Sequence, residues 1–195
     1  MTYPDVTPTK ATTAATLWPV NVAEVRDHLR IDHTDEDATL QRLIRTATTH
    51  TEDYTERALL TQTWTVYYDS FPNEMELPKP PLASVTSIAY VDTDGDDQTV
   101  STSTYTVDTS SEPGRVYLAY NQSWPTTRGV EKAVTVTYVA GWTAATSVPE
   151  PIRHAVLMQI ADLYELREPT IIGTIQTALP HAARLLDPYV IRETE

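Results

Sequence analysis

The chain has no cysteine. That excludes disulfides, cysteine zinc sites and thiol nucleophiles, and it suits a reducing compartment. Glycine is scarce, five in 195 residues. None of the five builds a phosphate-cradling loop, and there is no Gly-x-Ser-x-Gly elbow to expose a hydrolase serine. Lysine occurs only at Lys10, Lys79 and Lys132. Proteins that grip nucleic acid cluster Lys and Arg to displace counterions. Here 14 basic residues stand against 27 acidic ones, for a net charge of -13, with no basic cluster. If such a chain meets DNA, it does so without adhering to it. No apolar run approaches the roughly eighteen residues of a membrane span. The opening MTYPDVTPTKATTAATLW lacks the basic start and apolar block of a secretion signal.

What is present is enough for a core. Hydrophobic residues make up 41% of the chain, which excludes wholesale disorder. The length fits one domain, or one domain carrying an insertion. Residues 1–17 are rich in Thr, Pro and Ala without periodicity. They read as an arm, disordered alone or ordered against a neighbour. Asn21-Val22-Ala23-Glu24 has capping-box spacing, which predicts a short helix ending near Ile31. Thr34, followed by Asp35, Glu36 and Asp37, predicts a second helix start with acids at its positive end. Leu40, Leu43, Ile44, Ala47, Tyr54 and Ala58 carry that helix to about Leu59.

The period then changes from 3.6 to 2. Gln62 to Tyr68 alternates, with Trp64, Val66 and Tyr68 on one face. Further short strands are expected at 84–91, 98–101, 105–107, 115–120 and 134–139, with a hairpin turn at Asp94-Gly95. From Val148 the period is helical again. Pro149 and Pro151 fall in the first turn, where amides lack intrahelical partners. Ile152, Ala155, Val156, Ile160, Leu163 and Tyr164 form a wide apolar face, and Pro169 ends it. A short helix is expected from Leu179-Pro180 through Leu186. The fold class is therefore α+β. It reads as a helical bundle (two N-terminal helices, one long C-terminal helix and a short one) with an inserted small antiparallel sheet or sandwich. The expected organisation is an arm at 1–17, a helical domain at 18–60 plus 148–187, a β insertion at 61–147 and a tail at 188–195.

Catalytic and metal chemistry find little support. The five histidines include no i, i+4 pair for a helical zinc site. His33 lies beside Asp35, Glu36 and Asp37, but capping and the helix dipole account for those acids without a cation. In a calcium loop starting at Asp92, the sixth position should be glycine and the twelfth glutamate; Asp97 and Ser103 stand there, and a solvated hairpin tip is the better account. Asp162 and Glu165, three apart on one helix, are a possible carboxylate pair, with Arg153 and Arg167 equally placed as partners. Trp64, Trp124 and Trp142 lie at strand positions or strand ends, where packing is commoner than sugar binding. No catalytic residue, metal or cofactor is assigned, and an interaction protein is expected.

Several segments, taken in order, resemble the phage head–tail connector (adaptor) proteins of the HK97 gp6-like and phiE125 gp8-like group. They are Val22 to Arg30 with Asp35 to Asp37 and Leu40; Thr61-Gln-Thr-Trp-Thr65; Leu77-Pro-Lys-Pro-Pro-Leu82 with Val85 and the Tyr90-to-Gly95 hairpin; Val134 to Trp142; Val148-Pro-Glu-Pro-Ile-Arg153; and Tyr164 to Glu168. The ending, Leu179-Pro180 with Leu185 to Tyr189, is also similar. That family often has a basic residue directly after the Pro-Tyr pair; here Val190 follows and the base comes at Arg192. The resemblance implies a non-enzymatic virion component of a tailed virus or gene transfer agent, made in the host cytoplasm and placed at the head–tail interface. Such a protein forms a homo-oligomeric ring, twelve-fold, under the portal protein. It lengthens the channel for passing double-stranded DNA, docks a stopper or tail-terminator protein, and touches no membrane. The tail residues Asp187, Pro188, Tyr189, Val190, Ile191 and Arg192 are then candidates for partner contact. Arg153, His154, Asp162, Glu165 and Arg167 are candidates for contact between subunits. The alternative is another neck or tail structural protein, either a tail terminator or a sugar-binding tail module.

Overall fold

The computed structural model describes residues 8–13, 17–166 and 180–192. The elements run β1 (Pro8–Thr13), α1 (Val22–Leu29), α2 (Asp37–Thr55), β2 (Gln62–Tyr68), β3 (Glu74–Leu77), β4 (Leu82–Val91), β5 (Asp97–Thr99), β6 (Tyr105–Asp108), β7 (Gly114–Leu118), β8 (Val134–Ala140), α3 (Glu150–Glu165) and α4 (Pro180–Leu186). Among the described residues the fold class is α+β, with four α-helices and two small antiparallel sheets. The chain divides into a β unit, holding β1 and Thr61–Gly141, and a helical unit drawn from Thr16–Leu60 and Trp142–Glu195.

In the β unit, one sheet has the order β1-β2-β8-β4-β5 and the other β3-β7-β6. β2 and β8 pair in unbroken register from Gln62↔Ala140 to Tyr68↔Val134. Both strands alternate buried and half-buried residues, so Trp64, Val66, Tyr68, Val134, Val136, Tyr138 and Ala140 share the core face. The phenols of Tyr68 and Tyr138 are buried yet satisfied. They donate to the carbonyls of Glu76 at 2.6 Å and Pro78 at 2.9 Å, as buried hydroxyls must. Burial pushes both phenol pKa values up. Gly114 on β7 sits against Leu82 on β4; a Cβ there would lie 2.4 Å from the Leu82 Cβ, so only glycine permits this approach of the two sheets.

Two strands of the β unit differ from expectation. Residues 1–17 are expected to be an arm, yet Pro8–Thr13 forms the edge strand β1, antiparallel to β2. An edge strand is held by backbone bonds, so no apolar period announces it. β3 is also unexpected. It is a four-residue strand that pairs Met75 with Val116 and Leu77 with Gly114.

In the helical unit, Asn21 and Glu24 make the expected capping box: the Asn21 amide donates to Glu24 Oε2 at 2.8 Å, and the Glu24 amide donates to Asn21 Oδ1 at 3.0 Å. α2 starts three residues later than expected. Thr34 does not cap it; its carbonyl closes a turn with the Asp37 amide. α2 also ends at Thr55 rather than near Leu59, because Glu56 adopts the left-handed conformation (φ 54) and turns the chain. That turn lets Ala58, Leu59 and Leu60 all bury in succession, and the Leu59 amide donates to Glu52 Oε1 at 2.9 Å. The core-facing stripe of α2 includes Thr48, Thr51 and Thr55. Thr51 and Thr55 return their hydroxyls to carbonyls four residues back. α3 buries Ile152, Ala155, Val156 and Ile160 as expected; Leu163, at its far end, is 40% exposed.

Candidate interaction surface

The polar residues of α3 do different things. Arg153 is engaged within its own unit. Its Nε donates to the Pro19 carbonyl at 3.0 Å, one terminal nitrogen reaches both Glu150 oxygens at 2.9 Å, and the other pairs with Glu24. One arginine thus ties the segment before α1, the capping residue of α1 and the first turn of α3. His154 is exposed, with its ring edge-on to His28 at 6.2 Å. Asp162 is half-buried and Glu165 exposed. Neither has an ion-pair partner among the described residues, and Arg153 does not serve them. Arg167 lies outside the described residues.

Beside Arg153 is an open hollow of about 460 Å³, lined by Glu24, Glu150, Pro151, Arg153, His154, Leu157 and Leu185. Its two carboxylates are both paired to Arg153.

The tail residues are partly committed to their own chain. Tyr54 donates its hydroxyl to Asp187 Oδ1 at 2.6 Å, which raises the tyrosine pKa. The buried Arg57 donates to the Tyr189 carbonyl at 2.6 Å, and the Ile191 amide donates to the Thr55 carbonyl at 3.1 Å. No local pattern announces these contacts, because the partners are over 130 residues apart and of ordinary type. Asp187, Pro188 and Arg192 remain exposed; Tyr189, Val190 and Ile191 are half-buried.

The remaining candidates resolve simply. Asp92 Oδ1 accepts the amides of Asp94, Gly95 and Asp96, each at 3.0 Å, and Oδ2 accepts Gln98 Nε2 at 2.9 Å. These bonds, the Asp96 amide first, hold its pKa below the usual carboxylate value. The carboxylate organises the hairpin tip. Of the tryptophans, Trp64 is buried in the sheet core and Trp124 stacks on Phe71 at 4.7 Å with rings 5° apart. Among the described residues no group of three or more His, Asp or Glu is placed to hold a metal ion, and no helix is long and apolar enough to cross a membrane.

Residues 20–114 match the family described as phage gp6-like head-tail connector protein. The resemblance carried by the ordered sequence motifs is therefore shown by an independent comparison, from the residue before the α1 cap to the start of β7. Among solved structures, the chain is similar to one in the neck of an empty gene transfer agent (GTA) particle computed with C6 symmetry. The identity is 24%, the match covers 96% of this chain and 97% of that one, and the TM-score is 0.77. A chain in the virion of a native GTA particle matches with the same identity and coverage and a TM-score of 0.78. One in the neck of a native GTA particle computed with C12 symmetry matches at 23% identity, with 96% and 97% covered and a TM-score of 0.73. At this identity the structures show the fold. No curated protein matches the sequence. The matched family and particles are structural, not enzymatic.

Proposed function

We propose, from the match of residues 20–114 to the head–tail connector family, that this chain is a structural protein of the neck of a tailed virus or gene transfer agent. In finer terms, it is an adaptor. Copies close into a ring, twelve-fold, beneath the portal protein; the ring extends the DNA channel and docks a stopper or tail-terminator protein. The family match carries the reading. The likeness in fold over 96% of the chain to proteins found in GTA necks, one of them computed with C12 symmetry, supports it.

The chemistry agrees. A net charge of -13 disfavours adhesion to the phosphate backbone, so DNA passing such a ring meets repulsion rather than a trap. Exposed Pro188 and Arg192 of the tail are available to a neighbouring neck protein, while the backbone of Tyr189 and Ile191 anchors that tail to Arg57 and Thr55. The surfaces for subunit contact are taken from the polar residues of the helical unit. Deletion of the gene tests the function. The expected result is DNA-filled heads that lack tails, restored by supplying the protein in trans. Normal numbers of tailed particles from the deletion strain would refute it.

A further inference from the structure

We infer that neighbouring copies meet through two charged helix stripes of opposite sign: Arg42 and Arg45 on α2 of one copy against Asp162 and Glu165 on α3 of the next. This rests on the ring reading above.

Arg42 and Arg45 are exposed, on the side of α2 away from its buried stripe of Leu40, Ile44, Ala47, Thr48, Thr51 and Thr55. The positions three and four residues from each of them hold Ala38, Thr39, Gln41, Thr46, Thr48 and Thr49, with no acid among them. Arg42 donates to the Thr39 hydroxyl at 3.0 Å, and neither arginine has an ion-pair partner among the described residues. Two arginines one turn apart thus have no acid on their own stretch of helix, in a chain with 27 acids for 14 bases. Arg26, Arg115 and Arg153 are all paired. The two arginines are also like charges at i, i+3, which by itself is mildly unfavourable in a helix.

α3 carries the mirror case. Asp162 and Glu165 are like charges at the same i, i+3 spacing, without an ion-pair partner among the described residues. Among the described residues, Met158, Gln159, Ala161 and Leu166 flank them and bring no base; Arg167 lies outside the described residues. Matched spacing lets two packed helices form both ion pairs together. Two copies of a chain at -13 repel each other unless bases of one are set against acids of the other. A closed ring needs a heterologous contact, in which two different patches of the same chain meet. These two stripes differ in sign and lie on different helices, as that contact requires. The occupant of each stripe is therefore a second copy of this chain.

Charge reversal of the purified full-length chain tests the pairing, with assembly followed by native mass spectrometry and sedimentation at low salt. Arg42→Glu/Arg45→Glu and Asp162→Arg/Glu165→Arg should each stay folded by circular dichroism. Each should shift the assembly midpoint at least about tenfold to higher concentration, about 1.4 kcal/mol. An equimolar mixture of the two variants should assemble again, because every acidic α2 stripe then faces a basic α3 stripe. The mixed ring must alternate and hold an even number of subunits. The four-fold variant in one chain should assemble alone. A wild-type ring indifferent to both reversals, or variants that fail to rescue each other, overturns the charge pairing while leaving the ring reading intact. Loss of retention on double-stranded DNA by Arg42→Glu/Arg45→Glu, with assembly unchanged, overturns it in favour of a DNA contact. A wild type that remains monomeric at every concentration overturns the ring reading itself.

Discussion

Replacing Arg153 by methionine should unlock the helical unit. Methionine keeps most of the apolar stem and removes only the guanidinium. Three connections are lost: the Pro19 carbonyl, Glu150 and Glu24. They are unequal. The Glu150 side chain is 77% exposed, so that pair contributes at most about 1 kcal/mol. The Pro19 carbonyl accepts a charge-assisted hydrogen bond from an arginine side chain only 15% exposed, a class of bond contributing about 1.5–3 kcal/mol. With the Glu24 pair added, and discounted because Glu24 is more than one-third exposed, the expected loss is about 2–4 kcal/mol. Urea unfolding followed by far-ultraviolet circular dichroism reads it. Glu150→Ala should cost less than about 1 kcal/mol. Glu24→Gln preserves the capping box, so a cycle with Arg153→Met isolates the ion pair, with a coupling of about 1–2 kcal/mol. An Arg153→Met variant within about 0.5 kcal/mol of wild type, the range of ordinary surface changes, would refute the account of Arg153 as the tie between the pre-α1 segment and α3.

Other perturbations reach the core, the hairpin and the pH response. Ile160 is fully buried, so Ile160→Asp should cost several kcal/mol by burying an unpaired charge; normal melting of that variant would remove Ile160 from the core. Asp96→Asn with Asp97→Asn should change neither the melting temperature nor its insensitivity to calcium. Asp92→Ala should loosen the hairpin tip, read as faster amide exchange at Asp94, Gly95 and Asp96, since its carboxylate accepts all three amides. Hydrogen bonds from the Ser110 and Ser111 side chains hold the Asp108 pKa far below the ordinary carboxylate value. A depressed folded-state pKa gives stability that is present above the unfolded value, near 3.9, and lost as pH falls through the folded one. Carboxyl NMR titration should find the Asp108 pKa restored toward that ordinary value in Ser110→Ala/Ser111→Ala. An unchanged titration would refute the serine bonds as its cause.

Local chemistry made the parts of this fold that depend on it legible. The α1 cap was readable because a capping box involves only residues three apart. β2 and β8 were readable because each buries alternate residues. α3 was readable through its first-turn prolines and its Ile152-to-Ile160 stripe. β1 and β3 were not: the edge strand leaves no apolar period, and the alternation of Met75 and Leu77 in β3 spans only four residues. The end of α2 depends on Glu56 in a left-handed conformation, a choice that rewards the burial of Leu59 and Leu60 rather than any preference of glutamate. At the surface, the residue types were visible in advance but their commitments were not. Arg153 looked like a free partner for Asp162 and Glu165, and its actual partners lie 129 and 134 residues away. The tail looked unattached until Tyr54, Arg57 and Thr55 proved to hold it.

A reconstruction of the particle neck, with this chain labelled or built into density, is the decisive measurement of where the chain sits. The expected density is a closed, symmetric ring of this chain between portal and tail, twelve-fold, with α2 of each copy facing α3 of the next. Density for this chain in the head shell or at the tail tip, with none at the head–tail joint, would contradict it.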